Sequence, residues 1–186
     1  MNSIEPVMAW SLGPDYPHWT ETLRDTTRVV IRPITKQDAA EERAFIEALS
    51  PQSRRFRFLG QVRQPSSELI RQFTDIDYNH EVAFAAVVPD DATEKFLGVG
   101  RYSTSSDGTS CECAVTVLDA WHHKGLGTAL MKHLIEVARA RGILSMYSID
   151  SAENVDMDDL AKHLGFTRRI DPEDMTQVVH SLWLQP

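Results

Sequence analysis

The chain has 186 residues, of which 42% are hydrophobic and 25% charged, as expected for one globular domain with its own core. Its 27 acidic residues outnumber its 19 basic residues, giving a formal net charge of −8. This charge argues against a protein that binds nucleic acid or anionic lipid through bulk charge, and it favours a small or cationic partner.

No apolar stretch reaches the roughly 20 residues that a membrane-spanning helix needs, and residues 1–14 lack the pattern of a signal peptide. We therefore expect a cytoplasmic protein. The two cysteines, Cys111 and Cys113, flank one residue in an alternating run, so in a strand they share a face but are poorly placed to bridge each other. Both are expected to be reduced structural thiols.

The first part of the chain predicts a strand, two helices and a three-stranded meander. Residues 1–26, with three prolines, are expected to form an extended arm without regular structure, and a single domain spans 27–186. The predicted elements are a strand over 28–32, a helix that Thr35 caps and that ends before Pro51, a short helix over 65–73, and strands over 82–88, 96–103 and 110–118. Asp107-Gly108 is a hairpin signal between the last two strands.

After residue 118 the pattern changes to helix, strand, helix and strand. These elements are predicted over 125–140, 143–149, 154–164 and 178–184. Strands separated by a helix tend to lie parallel, whereas strands linked by a hairpin are antiparallel. The sequence therefore predicts a mixed α/β sheet with helices on its faces.

A glycine-rich turn joins the strand that ends at Leu118 to the long helix that follows. Such a turn leaves backbone N–H groups free at the positive end of the helix dipole, which favours an anion such as a pyrophosphate. Gly125 and Gly127 allow close approach of the backbone, and Lys124 adds a positive charge. A Gly-x-Gly before a helix is equally typical of a plain compact turn, so this feature alone leaves both interpretations open.

The segment His122-His123-Lys124-Gly125-Leu126-Gly127 resembles the Arg/Gln-x-x-Gly-x-Gly/Ala motif of GNAT acetyltransferases, with His122 in the place of Arg or Gln. Asn154, followed by Leu164-Gly165-Phe166, resembles the second cofactor segment of that family. The blocks over 30–34, 53–58 and 77–78 are similar to the GNAT domain of bacterial protein-lysine acetyltransferases of the Pat type. The resemblance implies an α/β GNAT fold, with a central mixed, mostly antiparallel sheet of six to seven strands and helices on both faces.

The resemblance also implies acetyl-CoA as co-substrate. A metal site at His122, His123 and His133 is not expected, because the two adjacent histidines would point apart and His133 lies about two turns along the helix. The strand backbone at Val115, Thr116 and Val117 would then hold the pantetheine arm, and Asn154 would contact it. The turn residues implied to hold the pyrophosphate are His122, His123, Lys124, Gly125, Leu126, Gly127 and Thr128.

A general base is useful to an enzyme of this type, because deprotonating a lysine of pKa near 10.4 at neutral pH costs roughly 4.6 kcal/mol. Glu112 is the first candidate: it lies in the strand before the turn, on the face opposite the cysteines, and a Glu in this place is taken as the base in similar Pat-like sequences. Glu81, just before a buried strand, is the second. The family often uses a Tyr as general acid where this chain has Ala161, and we assign no acid, although Tyr147 and Tyr78 are available.

We expect acetyl transfer to a primary amine, first of all a protein lysine. A small amine such as a polyamine, amino acid or antibiotic is the alternative acceptor, and a non-catalytic acyl-CoA sensor is the alternative outside the enzymes. Arginines 54, 55 and 57 are expected at a helix edge or cleft lip and not in a nucleic-acid patch. A homodimer contact through an unpaired final strand over 178–184 and the N-terminal arm is also considered.

Overall fold

The computed structural model describes residues 18–60 and 64–185. Its strands are β1 (Trp19–Thr22), β2 (Arg28–Pro33), β3 (Glu81–Asp90), β4 (Thr93–Thr104), β5 (Ser110–Val117), β6 (Ser145–Ser151), β7 (Thr167–Ile170) and β8 (Gln177–Trp183). Its helices are α1 (Ala39–Ala48), α2 (Pro51–Phe58), α3 (Ser67–Thr74), α4 (Leu126–Ala140) and α5 (Val155–His163). One 3-10 turn (Lys36–Asp38) precedes α1 and another (Asp119–Trp121) follows β5.

The strands form a single sheet of eight strands in the order β1-β2-β3-β4-β5-β6-β8-β7. Neighbouring strands are antiparallel except β5 and β6, which pair in parallel. That parallel pairing covers only Ser110 to Glu112 of β5 against Ser145 to Tyr147 of β6. The two strands therefore part in the middle of the sheet, and this gap positions the site described below.

Helices cover both faces of the sheet. Helix α4 lies against β4, where a Cβ atom on Gly100 would stand 3.0 Å from the Cδ1 atom of Leu134, so glycine permits this close packing. On the other face Arg101 of β4 meets Glu42 of α1. Leu126, Leu130 and Leu134 of α4 are almost fully buried and belong to the core.

Within the described residues, the strands β1 and β7 were not predicted. The sheet therefore has eight strands there, where six to seven were expected. The arm over 1–26 was expected to lack regular structure, which is wrong for its end, because β1 pairs with β2; residues 1–17 lie outside the described part. Strand β7 pairs with β8. The final strand was expected to be unpaired, which is also wrong, since β8 lies between β6 and β7.

Helix α2 was not predicted as a helix, although its beginning carries a signal. The Ser50 hydroxyl accepts a hydrogen bond from the Ser53 amide at 3.1 Å, and Pro51 occupies the first turn. Both choices are typical of helix N-termini. No residue of α2 is fully buried, and apart from Pro51 its only apolar residues are Phe56 and Phe58, so its sequence shows no continuous apolar face.

The cysteines confirm their prediction, since both are free and buried. Burial raises the pKa of the Cys111 thiol to about 12, which keeps it protonated and unreactive. Between them, Glu112 is exposed on the opposite face. Over the described residues, none of the helices combines the length and apolar character required to cross a bilayer.

Candidate active site

A cleft of about 870 Å³ opens where β5 and β6 part. The amide of Leu118, just after β5, donates to the carbonyl of Leu97 in β4 at 2.9 Å. Because successive residues of a strand direct their amides to opposite edges, Val117 and Val115 present theirs to the cleft. Thr116 was also predicted to bind the pantetheine arm through its backbone. Its amide is directed toward β4, however, so Thr116 lines the cleft but does not present its amide there.

Helix α2 covers one side of the cleft. The Asp119 carboxylate accepts hydrogen bonds from the hydroxyls of Ser50 at 2.7 Å and Ser53 at 2.8 Å. Burial raises the pKa of Asp119, but these bonds outweigh it and hold that pKa below its ordinary value. Farther along α2, Arg55 Nη2 lies 2.7 Å from Glu153 Oε2, so an ion pair links α2 to the loop before α5.

The glycine turn has the backbone that an anion site requires. Gly125 precedes α4 at φ 90° and His123 has φ 58°, which turns the chain sharply into the helix. A Cβ atom on Gly127 would stand 3.3 Å from Cδ2 of Leu160, so glycine also permits close contact with α5. The first amides of α4 have no partner inside the helix. The turn residues that line the cleft are His122, His123, Gly125, Leu126, Gly127 and Thr128.

The side chains of the turn serve mainly to fix it in place. Lys124 Nζ lies 2.9 Å from Asp25 Oδ2, and Lys124 is absent from the cleft lining, so the charge expected to meet the pyrophosphate is already compensated. His122 Nε2 donates to the carbonyl of Val117 at 3.0 Å, and its Nδ1 lies 3.3 Å from Asp156 Oδ2. The ring of His122 thus links the end of β5 to α5, a role that Arg or Gln at this place would fill differently.

Arg24 is a cleft residue that sequence reasoning missed. Its amide donates to the carbonyl of Lys124 at 3.0 Å, and its Nη1 lies 3.5 Å from the carbonyl of His123. Arg24 lies in the turn between β1 and β2 and lines the end of the cleft next to the glycine turn. No local sequence signal marks it, because its partners are about a hundred residues away, and only the pairing of β1 brings it there.

Asn154 lines the cleft as predicted for the cofactor arm. Its Oδ1 accepts the Met157 amide at 3.2 Å, so its oxygen caps α5. The cap fixes Asn154 at the head of α5, across the cleft from the free edge of β5.

The two candidate bases occupy one row of the sheet, in which Glu81 lies opposite Ser103, Ser103 opposite Glu112, and Glu112 opposite Tyr147. Glu112 is exposed and lines the cleft, whereas Glu81, two strands away, does not. The Tyr147 side chain lies beside Glu112 and interacts with its carboxylate. Burial and then the nearby Glu112 charge raise the pKa of Tyr147, so its hydroxyl stays protonated.

The other tyrosine considered as an acid has a structural role. The Tyr78 hydroxyl lies 2.6 Å from the carbonyl of Ile34 and 3.0 Å from that of Ala83, and the residue is buried. Ala161, at the family's usual acid position, is buried in α5. Of the two tyrosines, Tyr147 is thus the one that lies beside Glu112.

The histidines considered for a metal are engaged elsewhere. His133 Nε2 lies 2.7 Å from Glu21 Oε1, and its ring stacks on Trp19 with centroids 4.1 Å apart. The rings of His122 and His123 are nearly perpendicular, with centroids 6.1 Å apart. In the described residues, no three His, Cys, Asp or Glu side chains come together as ligands.

Comparison with known proteins agrees with this geometry. The Acetyltransferase (GNAT) family matches residues 39–166, and the chain belongs to that family. It is 47% identical over 167 residues to an acetyltransferase of Pseudomonas aeruginosa, a match that covers 90% of each chain. The acetyl-transferring activity and the family expected from the sequence are therefore confirmed.

Solved structures confirm the fold. The GNAT domain of S. lividans PAT superposes with a TM-score of 0.82 and 27% identity, over 91% of this chain and 99% of that domain. A cAMP-binding acyltransferase from Mycobacterium smegmatis has a TM-score of 0.63 and 20% identity over 91% of this chain, which amounts to 48% of its own length and shows the fold alone. GNAT acetyltransferases use acetyl-CoA, and the free amides of β5 and α4 fit its pantetheine and pyrophosphate.

Proposed function

We propose that the protein transfers an acetyl group from acetyl-CoA directly to the ε-amine of a protein lysine, with Glu112 as general base. The observation that carries this proposal is the position of Glu112. Its carboxylate lines the cleft at the point where β5 and β6 part, beside the edge that presents the amides of Val115 and Val117. Acceptor and donor would therefore meet at the parting of the strands.

Different residues of the cleft would bind acetyl-CoA and deprotonate the acceptor. The Val115 and Val117 amides would bind the pantetheine, and the first amides of α4 the pyrophosphate. Bound acetyl-CoA supplies an activated acetyl thioester. Glu112 accepts the proton of the lysine ammonium, directly or through water, which offsets part of the roughly 4.6 kcal/mol needed to free the amine at neutral pH. As the N–C bond forms and the C–S bond breaks, the nitrogen releases its second proton, which passes through water to the departing thiolate.

The acceptor is inferred from similarity and charge. The resemblance of residues 30–34, 53–58 and 77–78 to Pat-type protein-lysine acetyltransferases supports a protein acceptor, and the net charge of −8 suits a cationic one. Since acetyl-CoA is the donor and the curated relative is bacterial, we place the enzyme in a bacterial cytoplasm.

The proposal is tested by incubating the protein with acetyl-CoA and following free thiol, in parallel with lysine-containing proteins, polyamines and free amino acids. Thiol release that depends on a protein acceptor, together with an acetyl mass shift on a lysine of that acceptor, is the expected result. Release with small amines alone would replace the acceptor by a small molecule. Tight CoA binding without any amine-dependent release would favour a sensor and contradict the enzyme.

A further inference from the structure

The acceptor end of the cleft contains a positive charge that the proposed chemistry does not use. Arg57 of α2 is half-buried and lines the cleft. Its guanidinium carbon lies 5.1 Å from the ring centroid of Phe73 and 5.3 Å from that of Phe58, and these two rings stack on each other. The aromatic contacts hold the guanidinium against the wall of the cleft.

Arg57 has no carboxylate within ion-pair distance among the described residues, unlike three arginines of neighbouring elements. Arg32 lies 2.8 Å from Asp38, Arg55 2.7 Å from Glu153, and Arg101 3.3 Å from Glu42. Within residues 18–60 and 64–185, neither an ion pair nor a hydrogen bond of Arg57 is formed, and its charge interacts with Glu42 and Glu112 only at longer range.

Glu42 does not supply the missing counter-ion. This carboxylate is buried, it pairs with Arg101, and its Oε2 atom has no hydrogen-bond donor among the described residues. Burial raises the pKa of Glu42, which weakens it further as an anion. Glu42 is thus engaged by Arg101 and does not pair with Arg57.

Arg57 nevertheless keeps its charge at neutral pH. Burial, followed by repulsion from Arg101, lowers the pKa of Arg57 to about 10, which is still well above the pH of a cell. A partly desolvated cation without a paired anion is unfavourable. An anion that enters the cleft and pairs with Arg57 would therefore lower the free energy of the protein.

The position of Arg57 indicates where that anion would come from. Helix α2 runs alongside β5, with Ser53 at the Asp119 end and Arg57 facing the Glu112 end. The glycine turn follows Asp119, so the first end belongs to the pyrophosphate and the second to the reacting groups. A group bound by Arg57 therefore belongs to the acceptor.

We propose that Arg57 binds a carboxylate next to the acceptor amine, so that the lysine acetylated by this enzyme has an acidic residue beside it in its protein. This inference rests on the proposed function. Glu112 would meet the ammonium and Arg57 the carboxylate, so the two cleft charges match two opposite charges of the substrate. A guanidinium is well suited to a carboxylate because its donors match the carboxylate oxygens in pairs.

The first test measures binding without turnover. Short peptides that contain an Nε-acetyl-lysine flanked by Glu or, in the matched peptide, by Gln are titrated into the CoA-saturated protein by calorimetry. Wild-type protein should bind the Glu peptide roughly tenfold or more tightly than the Gln peptide. In Arg57→Gln the ratio should fall to about one, and in Arg57→Lys it should keep an intermediate value. Equal ratios in wild type and Arg57→Gln would overturn the proposal.

The control variant is Arg71→Gln. Arg71 lies on α3, is exposed, and pairs with Glu68 at 2.7 Å, away from the cleft. This variant should keep the Glu preference of wild type. Loss of the preference in Arg71→Gln as well would assign it to the overall charge of the protein and overturn the role of Arg57. Thermal unfolding of each variant shows whether it is folded.

The second test uses the same peptides with free lysine and acetyl-CoA. The Glu peptide should have a kcat/KM roughly tenfold above that of the Gln peptide, mainly through KM, and the ratio should vanish in Arg57→Gln. A free amino acid and its amide are run alongside. If the enzyme prefers the free amino acid over its amide but does not prefer the Glu peptide over the Gln peptide, the proposal of an acidic residue beside the lysine in a protein is overturned. If the protein binds the Glu peptide more tightly than the Gln peptide but acetylates neither, the proposed acetyltransferase function is contradicted, whereas carboxylate binding by Arg57 is supported.

Discussion

Glu112 and Tyr147 lie opposite each other in the last register pair of the parallel strands β5 and β6, where the cleft begins. Tyr147 interacts with the Glu112 carboxylate, and its pKa, raised first by burial and then by the Glu112 charge, keeps its hydroxyl protonated. Tyr147 is therefore placed to orient the proposed base at the edge of the opening.

Replacing Tyr147 by Phe removes the hydroxyl and keeps the ring. We expect kcat to fall about 3- to 30-fold, because the carboxylate loses one oriented contact, whereas KM for acetyl-CoA should change less than about twofold. Steady-state kinetics with acetyl-CoA and a saturating acceptor measure both. A rise in KM for acetyl-CoA at unchanged kcat would show that Tyr147 serves the cofactor instead.

The two candidate bases are separated by Glu112→Gln and Glu81→Gln. Loss of a general base costs about 10²- to 10⁴-fold in rate, so Glu112→Gln should reduce kcat/KM by that order near neutral pH. Its remaining activity should rise with pH, because solution then supplies the free amine. Glu81→Gln should stay within about threefold of wild type, since Glu81 lies two strands from the cleft edge. The opposite ranking would transfer the role of base to Glu81.

The glycine turn offers a matched pair of substitutions. Gly125 and Gly108 have φ values of 90° and 70°, which strain any residue with a Cβ atom. Their alanine variants should therefore each lose about 1–2 kcal/mol of unfolding free energy. Only Gly125→Ala should raise KM for acetyl-CoA, by about tenfold, because Gly108 lies in the hairpin turn before β5 and outside the cleft lining. An equal change in KM for both variants would refute the turn as the pyrophosphate site.

Much of the fold was predictable because its elements carry strong local patterns. Strand β3 is a continuous apolar run that the sheet buries, and α4 repeats leucines every four residues. By contrast, β1 and β7 have only four residues each, with partly or fully exposed side chains, so their pairing depends on neighbours distant in the sequence. These short edge strands account for the two that were missed.

The candidate site was likewise predictable only in the parts whose residues lie close together in the sequence. The turn around Gly125 was recognised because all its parts are contiguous, and Glu112 because it precedes that turn in the same strand. Arg24 and Arg57 reach the cleft only through tertiary packing, Arg24 by the pairing of β1 and Arg57 by the placement of α2 over β5. The free edge of β5 likewise depends on where β6 leaves it, which no local pattern encodes.

A buried histidine gives the stability of the protein a pH dependence of known sign. His180 of β8 is 1% exposed; its Nδ1 lies 2.9 Å from Asp150 Oδ2 and its Nε2 2.7 Å from Asp158 Oδ1. Burial lowers the pKa of His180, but the two carboxylate contacts outweigh burial, so the net pKa lies above its ordinary value of 6.5. Because both ring nitrogens face carboxylates, the folded protein favours the doubly protonated ring.

A folded-state pKa above the unfolded value means that this stabilisation is fully present below about pH 6.5 and is lost as pH rises through the raised pKa. Wild-type protein should therefore lose unfolding free energy on passing from pH 6.5 into the alkaline range, measured by urea unfolding at constant ionic strength. His180→Gln should be less stable at pH 6.5 and nearly free of this loss. His163→Gln, at an exposed histidine of α5, should retain the wild-type dependence. A pH profile of His180→Gln that parallels wild type would assign the alkaline loss to other groups.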